Sequence, residues 1–199
     1  MLLHQNLEKY AETTPDHLFS EFKNTKRTYK EANITANQIA NSFIKEGLKK
    51  GDRFTFLAKN CDEMAIMYHA ASKVGVVPVP LNYRLANQEW EYIINDSQSK
   101  LIMVRDDEFI SRVDSFRDKL HSVKKYISIC SSNKLSDWID LNNWTEDTDI
   151  ENLNHDIAED DDVYQMYTSG TTGLPKGAII LQRNVAANTE QYFDRLVLP

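Results

Sequence analysis

Apolar residues recur along this chain with two alternating periods. Between Thr28 and Gly47 they fall at Ala32, Ala36, Ile39, Ala40 and Phe43, one face of a helix. Thr28-x-x-Glu31 supplies a capping box at the start of that helix, and Gly47 a C-terminal cap. Asp52 to Ala58 predicts a strand. Asn60-x-x-Glu63 repeats the capping pattern and opens a second helix, whose stripe is Met64, Met67, Tyr68 and Ala71 and whose end is Gly75. Val76 to Val79 predicts a strand, and Trp90, Ile93 and Ile94 mark a third helix. Leu101 to Val104 predicts a strand, Phe109 to Leu120 a helix, and Tyr126 to Cys130 a strand.

This βαβα alternation, with strands that are apolar throughout, predicts an α/β fold. The expected core is a doubly wound, mostly parallel sheet with helices on both faces, spanning residues 1–130. From Ser131 to Asp162 the periodicity lapses, apart from apolar Trp138, Ile139, Leu141 and Trp144. A structureless loop of that length is uncommon inside a domain, so 131–162 is expected to be a connector. Residues 163–199 then begin a second subdomain, with strands at Val163 to Tyr167 and Ala178 to Leu181.

Charge sharpens the connector. The chain carries 23 basic and 30 acidic residues, a net charge of −7, and 11 of the acidic residues fall between Leu135 and Asp162 with no Lys or Arg among them. That run predicts a solvated connector rather than a metal site. Nothing resembles a nucleic-acid stripe. The longest apolar run, Val74 to Leu81, is far too short for a membrane span, and Met1-Leu2-Leu3 too brief for a signal peptide. Cys61 and Cys130 lack paired spacing, which predicts free thiols and a reducing, cytoplasmic setting. Cys61, in a first helical turn, and His69, beside an apolar stripe, are expected to be structural. His4, His17, His121 and His155 show no metal spacing.

The strongest chemical signal is Tyr167-Thr168-Ser169-Gly170-Thr171-Thr172-Gly173-Leu174-Pro175-Lys176-Gly177-Ala178. Its glycines allow close backbone approach to a ligand, and consecutive N–H groups in such turns form an anion-binding concavity. Thr168, Ser169, Thr171 and Thr172 add rotatable donors, and Lys176 a compact positive charge. These are the parts of a polyphosphate cradle. A Walker A loop would require Ser or Thr after the lysine and a helix behind it. Here Gly177 and a strand follow, so the loop is expected to join two strands.

That stretch resembles the signature loop of the adenylate-forming (AMP-binding) superfamily, which includes acyl-CoA synthetases, peptide-synthetase adenylation domains and beetle luciferases. Gly75-Val76-Val77-Pro78-Val79-Pro80-Leu81-Asn82-Tyr83-Arg84-Leu85 is similar to a segment that acyl-CoA synthetases carry roughly ninety residues earlier. Thr28-Tyr29-Lys30-Glu31 and Gly51-Asp52-Arg53 sit in the same order as in that family. Two departures stand out. Ala86 replaces the usual Thr or Ser cap of the third helix, leaving Asn87 as the substitute, and Gln182 stands where many relatives carry histidine.

The resemblance implies a function. Thr168, Ser169, Gly170, Thr171, Thr172, Gly173 and Lys176 would bind the phosphates of ATP, with Thr168 also a Mg²⁺ contact in some relatives. A carboxylic acid would attack the α-phosphate to give an acyl-adenylate and pyrophosphate, and the acyl group would pass to coenzyme A. The resemblance leans towards the acyl-CoA synthetases. A peptide-synthetase adenylation domain remains the alternative, as does a truncated non-catalytic nucleotide-binding or interaction protein. The family's acyl pocket, adenine contacts, Mg²⁺-binding glutamate, hinge aspartate and catalytic lysine have no counterparts here, so no catalytic residue is assigned. Leu196-Val197-Leu198-Pro199 lacks a terminating signal, and the chain is expected to be an N-terminal fragment, inactive alone.

Overall fold

The computed structural model describes residues 1–129, 137–168 and 173–195. Its centre is a five-stranded parallel sheet of β3 (Arg53–Leu57), β4 (Val77–Leu81), β5 (Leu101–Arg105), β6 (Lys125–Ile129) and β7 (Ile139–Asp140), in the order β4-β3-β5-β6-β7. The chain starts in the middle, steps to one edge, then returns across β3 to build the other side, as in flavodoxin-like sheets. Alternate side chains serve opposite faces. Phe54, Phe56, Leu101, Met103, Ile127 and Ile129 pack against α2 (Tyr29–Lys45) and α3 (Asp62–Val74). Leu57, Val79, Ile102 and Val104 pack against α4 (Asn87–Asp96) and α5 (Asp107–Asp114). The sheet is therefore doubly wound, as expected.

The capping box of α2 is formed. Thr28 Oγ1 accepts from the Glu31 amide at 3.2 Å, and the Glu31 carboxylate accepts from the Thr28 amide at 2.8 Å. Gly75 ends α3 in the left-handed conformation, at φ 69°. Other helix ends differ from expectation. The N-cap of α3 is Cys61 rather than Asn60, and Glu63 pairs with Arg105 instead of closing a box. Beside it, Arg27 Nε donates to Asp62 at 2.5 Å. Met67 and Ala71 are sealed together with Ile66 and Ala70, whereas Met64 and Tyr68 are only partly covered. At α4, Asn87 is not the cap: its Oδ1 accepts from Arg112 Nε, while the Ala86 amide is satisfied by Glu89 at 2.8 Å. The helix expected to reach Leu120 stops at Asp114. A short 3₁₀ turn, Arg117–Lys119, still buries Phe116 and Leu120, so the apolar spacing reported burial rather than one continuous helix.

Two regions carry more structure than their sequence suggested. The first 28 residues form α1 (Leu3–Thr13) and a hairpin of β1 (Leu18–Phe22) and β2 (Thr25–Thr28). After residue 136 the chain contributes the edge strand β7 and then α6 (Leu141–Thr145). Trp138 joins the α4–α5 core, and Trp144 stacks edge-on against Phe43. Beyond them the acidic run lies along α2, where Asn37 donates to the Ile150 carbonyl and Asn41 to that of Asp149. Expected features at Cys130 and Leu196 to Pro199 lie outside the described residues. Among the described residues, no helix is long and apolar enough to cross a membrane.

Candidate functional site

The glycine- and threonine-rich segment connects β8 (Asp162–Thr168) to β9 (Lys176–Leu181), an antiparallel pair separate from the main sheet. Proline explains the separation. β8 lies against β4, but β4 is an edge strand whose Val77 amide turns towards the β3 side, to the Asp52 carbonyl. Its alternate residues Pro78 and Pro80 face the other way and have no N–H to offer. The outer edge of β4 cannot sustain a ladder, so β8 packs there without extending the sheet.

In the hairpin register Thr168 stands opposite Lys176, and Tyr167 opposite Gly177. Thr168 and Lys176 are both exposed, at the two ends of the connection. Gly173 has φ 111°, a conformation that side-chain-bearing residues rarely adopt. Lys176 opens a strand, and α7 (Gln182–Arg195) begins only at the far end of β9. The strand–loop–strand expectation holds, and the helix required by a Walker A loop is not there. Ser169, Gly170, Thr171 and Thr172 lie outside the described residues; of the expected set the structure sets Thr168 opposite Lys176 and describes Gly173 on the connection between them.

Both arms of the hairpin are anchored by polar side chains. On β8, Gln165 is buried, and Arg53 Nε donates to its Oε1 at 2.7 Å. The Gln165 amide donates in turn to Tyr167 Oη at 3.2 Å, and that hydroxyl donates to Asp96 Oδ2 at 2.5 Å. Gln165, a polar residue in an apolar strand, was legible from sequence as needing a partner; Asp96 carried no such signal. At the end of β9, Gln182 is 1% exposed. It accepts from the Leu3 amide at 3.1 Å and donates to Ser72 Oγ at 2.9 Å. Gln182 thus ties β9 to α1 and α3, a structural role for the residue that replaces the usual histidine.

The remaining candidates are structural. Burial pushes the Cys61 thiol up to about 11, so it stays protonated at neutral pH despite its place at a helix start. His4 Nδ1 sits 2.9 Å from Ser72 Oγ, and burial lowers its pKa. Burial also lowers His69 to about 4, and its Nδ1, out of solvent contact, has no hydrogen-bond partner among the described residues. Among the described residues no group of three or more His, Cys, Asp or Glu could hold a metal.

The two histidines make a prediction for stability against pH. Their folded pKa values are depressed, so the unfolded chain takes up protons first. Their contribution is complete above the ordinary value of 6.5 and is lost as pH falls towards about 4. At pH 5, His69 alone should remove up to about 2 kcal/mol relative to pH 8. Urea unfolding at the two pH values checks this, with His69→Gln expected to flatten the profile. A wild-type profile that is already flat would exclude the effect.

The residue pattern of the AMP-binding enzyme family matches residues 7–198. The long-chain-fatty-acid–CoA ligase FadD13 of Mycobacterium tuberculosis is 30% identical over 204 aligned positions, covering 97% of this chain and 37% of that protein. Bacitracin synthase 2 of Bacillus licheniformis is 30% identical over 178 positions, covering 89% of this chain and 6% of that protein. Among solved structures, the anthranilate CoA ligase AuaEII in complex with anthranoyl-AMP superposes with a TM-score of 0.92 at 20% identity, covering 98% of this chain and 38% of that one. A fatty acyl CoA synthetase of Mycobacterium tuberculosis superposes with a TM-score of 0.83 at 25% identity, covering 99% and 38%. This chain spans well under half the length of each. With the strand–loop–strand geometry and a match over nearly its whole length, the chain belongs to the AMP-binding enzyme family of adenylate-forming ligases.

Proposed function

We propose that this chain carries the ATP-phosphate-binding part of an acid–thiol ligase, which activates a carboxylate as its acyl-adenylate and passes the acyl group to coenzyme A. The observation that carries the reading is the hairpin itself. It sets exposed Thr168 and Lys176 across from each other, at the ends of a segment rich in glycine and hydroxyl groups. In this reading Thr168, Ser169, Gly170, Thr171, Thr172, Gly173 and Lys176 hold the phosphates. Residues 1–130 form the supporting sheet subdomain, to which 131–162, the connector, adds β7 and α6, and 163–199 are the start of the second subdomain.

Adenylation requires neutralising the charge that builds on departing pyrophosphate, and positioned donors near that charge supply the stabilisation. Lys176 offers the charge, and the threonine and serine hydroxyls the adaptable donors. Mg²⁺ would supply further charge neutralisation when bound with the nucleotide. Thr168, exposed at the end of β8, would be one oxygen contact to it. A peptide-synthetase-type domain is the second reading, favoured by relatives such as the bacitracin synthase.

Carboxylate-dependent exchange of labelled pyrophosphate into ATP tests the reaction. The isolated chain is expected to give no exchange above a no-enzyme blank, because the groups that orient adenine and carboxylate in the family are absent, and with them proximity effects of roughly 7–11 kcal/mol. Clear exchange in a preparation free of host ligases would contradict that expectation. A chain of the relatives' full length should exchange, and should then form a thioester with coenzyme A. Exchange without transfer to coenzyme A would favour the peptide-synthetase reading.

A further inference from the structure

We infer that Tyr167 is a positioning residue, whose hydroxyl, clamped between Asp96 and Gln165, fixes the base of the phosphate loop against α4 and the main sheet. The inference rests on the phosphate-binding reading of the loop and adds to it the means by which the loop is aimed. Tyr167 is the residue before Thr168, so fixing its side chain restrains the backbone from which the first donor of the loop projects.

Four observations support the clamp. The first is a continuous polar relay from the sheet to α4: Arg53 to Gln165 at 2.7 Å, Gln165 to Tyr167 at 3.2 Å, and Tyr167 to Asp96 at 2.5 Å. Arg53 is held in turn by the Gly51 carbonyl and by Asp162 at the start of β8. The second concerns Asp96, the last residue of α4. A carboxylate at a helix C-terminus opposes the helix dipole; here it accepts the Tyr167 hydroxyl at 2.5 Å and, at 3.5 Å, that of Tyr92. The third is the space left by Gly177. A Cβ at that position would lie 2.2 Å from Gln165 Nε2 and 2.9 Å from Tyr167 Cζ. Only glycine opposite Tyr167 lets both side chains cross under β9. The fourth is that burial and the neighbouring Asp96 both raise the Tyr167 pKa, which keeps the hydroxyl a donor.

The clamp also divides labour along the hairpin. Gln182 secures the end of β9 remote from the loop, whereas the Tyr167–Asp96 bond acts at the loop itself. A change in the first should loosen the whole hairpin, and a change in the second should alter the loop while the fold persists.

Tyr167→Phe removes the hydroxyl and keeps the ring, which packs beside the α4–α5 core. Two readouts are needed: amide hydrogen exchange in peptides spanning residues 166–178, and affinity for tripolyphosphate by calorimetry. We expect exchange in those peptides to quicken about tenfold and affinity to fall about tenfold, the scale of one charge-assisted hydrogen bond. Asp96→Asn keeps an acceptor without the charge and should fall between wild type and Tyr167→Phe, whereas Asp96→Leu should reproduce Tyr167→Phe. Phe43→Leu, in the opposite core, lowers stability without touching the hairpin and should leave tripolyphosphate affinity unchanged. Unchanged exchange in Tyr167→Phe would overturn the inference. So would faster exchange with unchanged affinity, because the bond would then be structural only. If wild type does not bind tripolyphosphate, the phosphate reading fails, and exchange alone decides whether the hydroxyl holds the loop.

Discussion

Glu8→Ala is expected to cost this protein about 3–5 kcal/mol of stability, and Lys73→Met clearly less, because the carboxylate left unpaired is partly in water whereas the ammonium is not. Lys73 lies on α3 with its side chain fully enclosed, and it pairs with Glu8 of α1, whose side chain is 22% exposed. Burial lowers the lysine's pKa and the Glu8 carboxylate opposes that shift. Removing the carboxylate strands an ammonium group whose other polar contact is Asn152 Oδ1 at 3.3 Å. Replacing the lysine by methionine fills a similar volume and leaves Glu8 without its partner but still in contact with water. The pair matters to the hairpin as well, because the Leu3 amide of the same helix anchors Gln182. Urea unfolding of the two variants compares them directly, and equal losses would show that the cost lies in packing rather than in an orphaned charge.

Lys176→Ala should produce the opposite signature, a large loss of function at almost no cost in stability. The side chain is exposed at the mouth of a glycine-rich connection, where substitutions change stability by within about 0.5 kcal/mol. In a chain of the relatives' full length, losing one donor that faces transition-state charge should cost roughly 2.7–4 kcal/mol, about 10²–10³ in the rate of adenylation. Thermal melting and steady-state kinetics on one preparation separate the effects. A collapsed melting temperature with wild-type specific activity in the folded remainder would make Lys176 a structural residue.

Periodicity exposed those parts of the fold in which burial and local pattern coincide. Phe54 and Phe56 alternate with Thr55 on a strand covered on both faces, and the α2 stripe is buried throughout, beside buried Asn37 and Ser42, which bond to the segment after residue 136. Where the two diverge the sequence misleads. Phe116 and Leu120 keep helical spacing but are buried from a 3₁₀ turn, and Asn60 has a capping pattern that α3 does not use. The stretch after residue 136 hides its contribution because β7 is two residues long and its anchors are isolated tryptophans. A short edge strand leaves no period to count.

The site divides in the same manner. The loop's residue types point to a phosphate cradle, because four hydroxyls, three glycines and a lysine exceed the needs of a turn, and the resemblance to the adenylate-forming family carries most of that reading. Gln165 was visible as a polar residue among apolar neighbours. Asp96 and Arg53 were not, since their part depends on contacts 71 and 112 residues away in sequence. Pro78 and Pro80 stand in or beside a predicted strand, but only the strand order shows that it is an edge and which element they exclude.

The most direct test of the central claim is a ³¹P NMR titration of ATP with this chain and with Lys176→Ala. If the hairpin loop holds the phosphates, wild type should shift or broaden the β and γ resonances more than the α resonance, in a saturable manner, and the Lys176→Ala chain, melting at the same temperature, should not. Equal perturbation by both proteins, or none by wild type, would contradict the assignment of this loop to ATP phosphates.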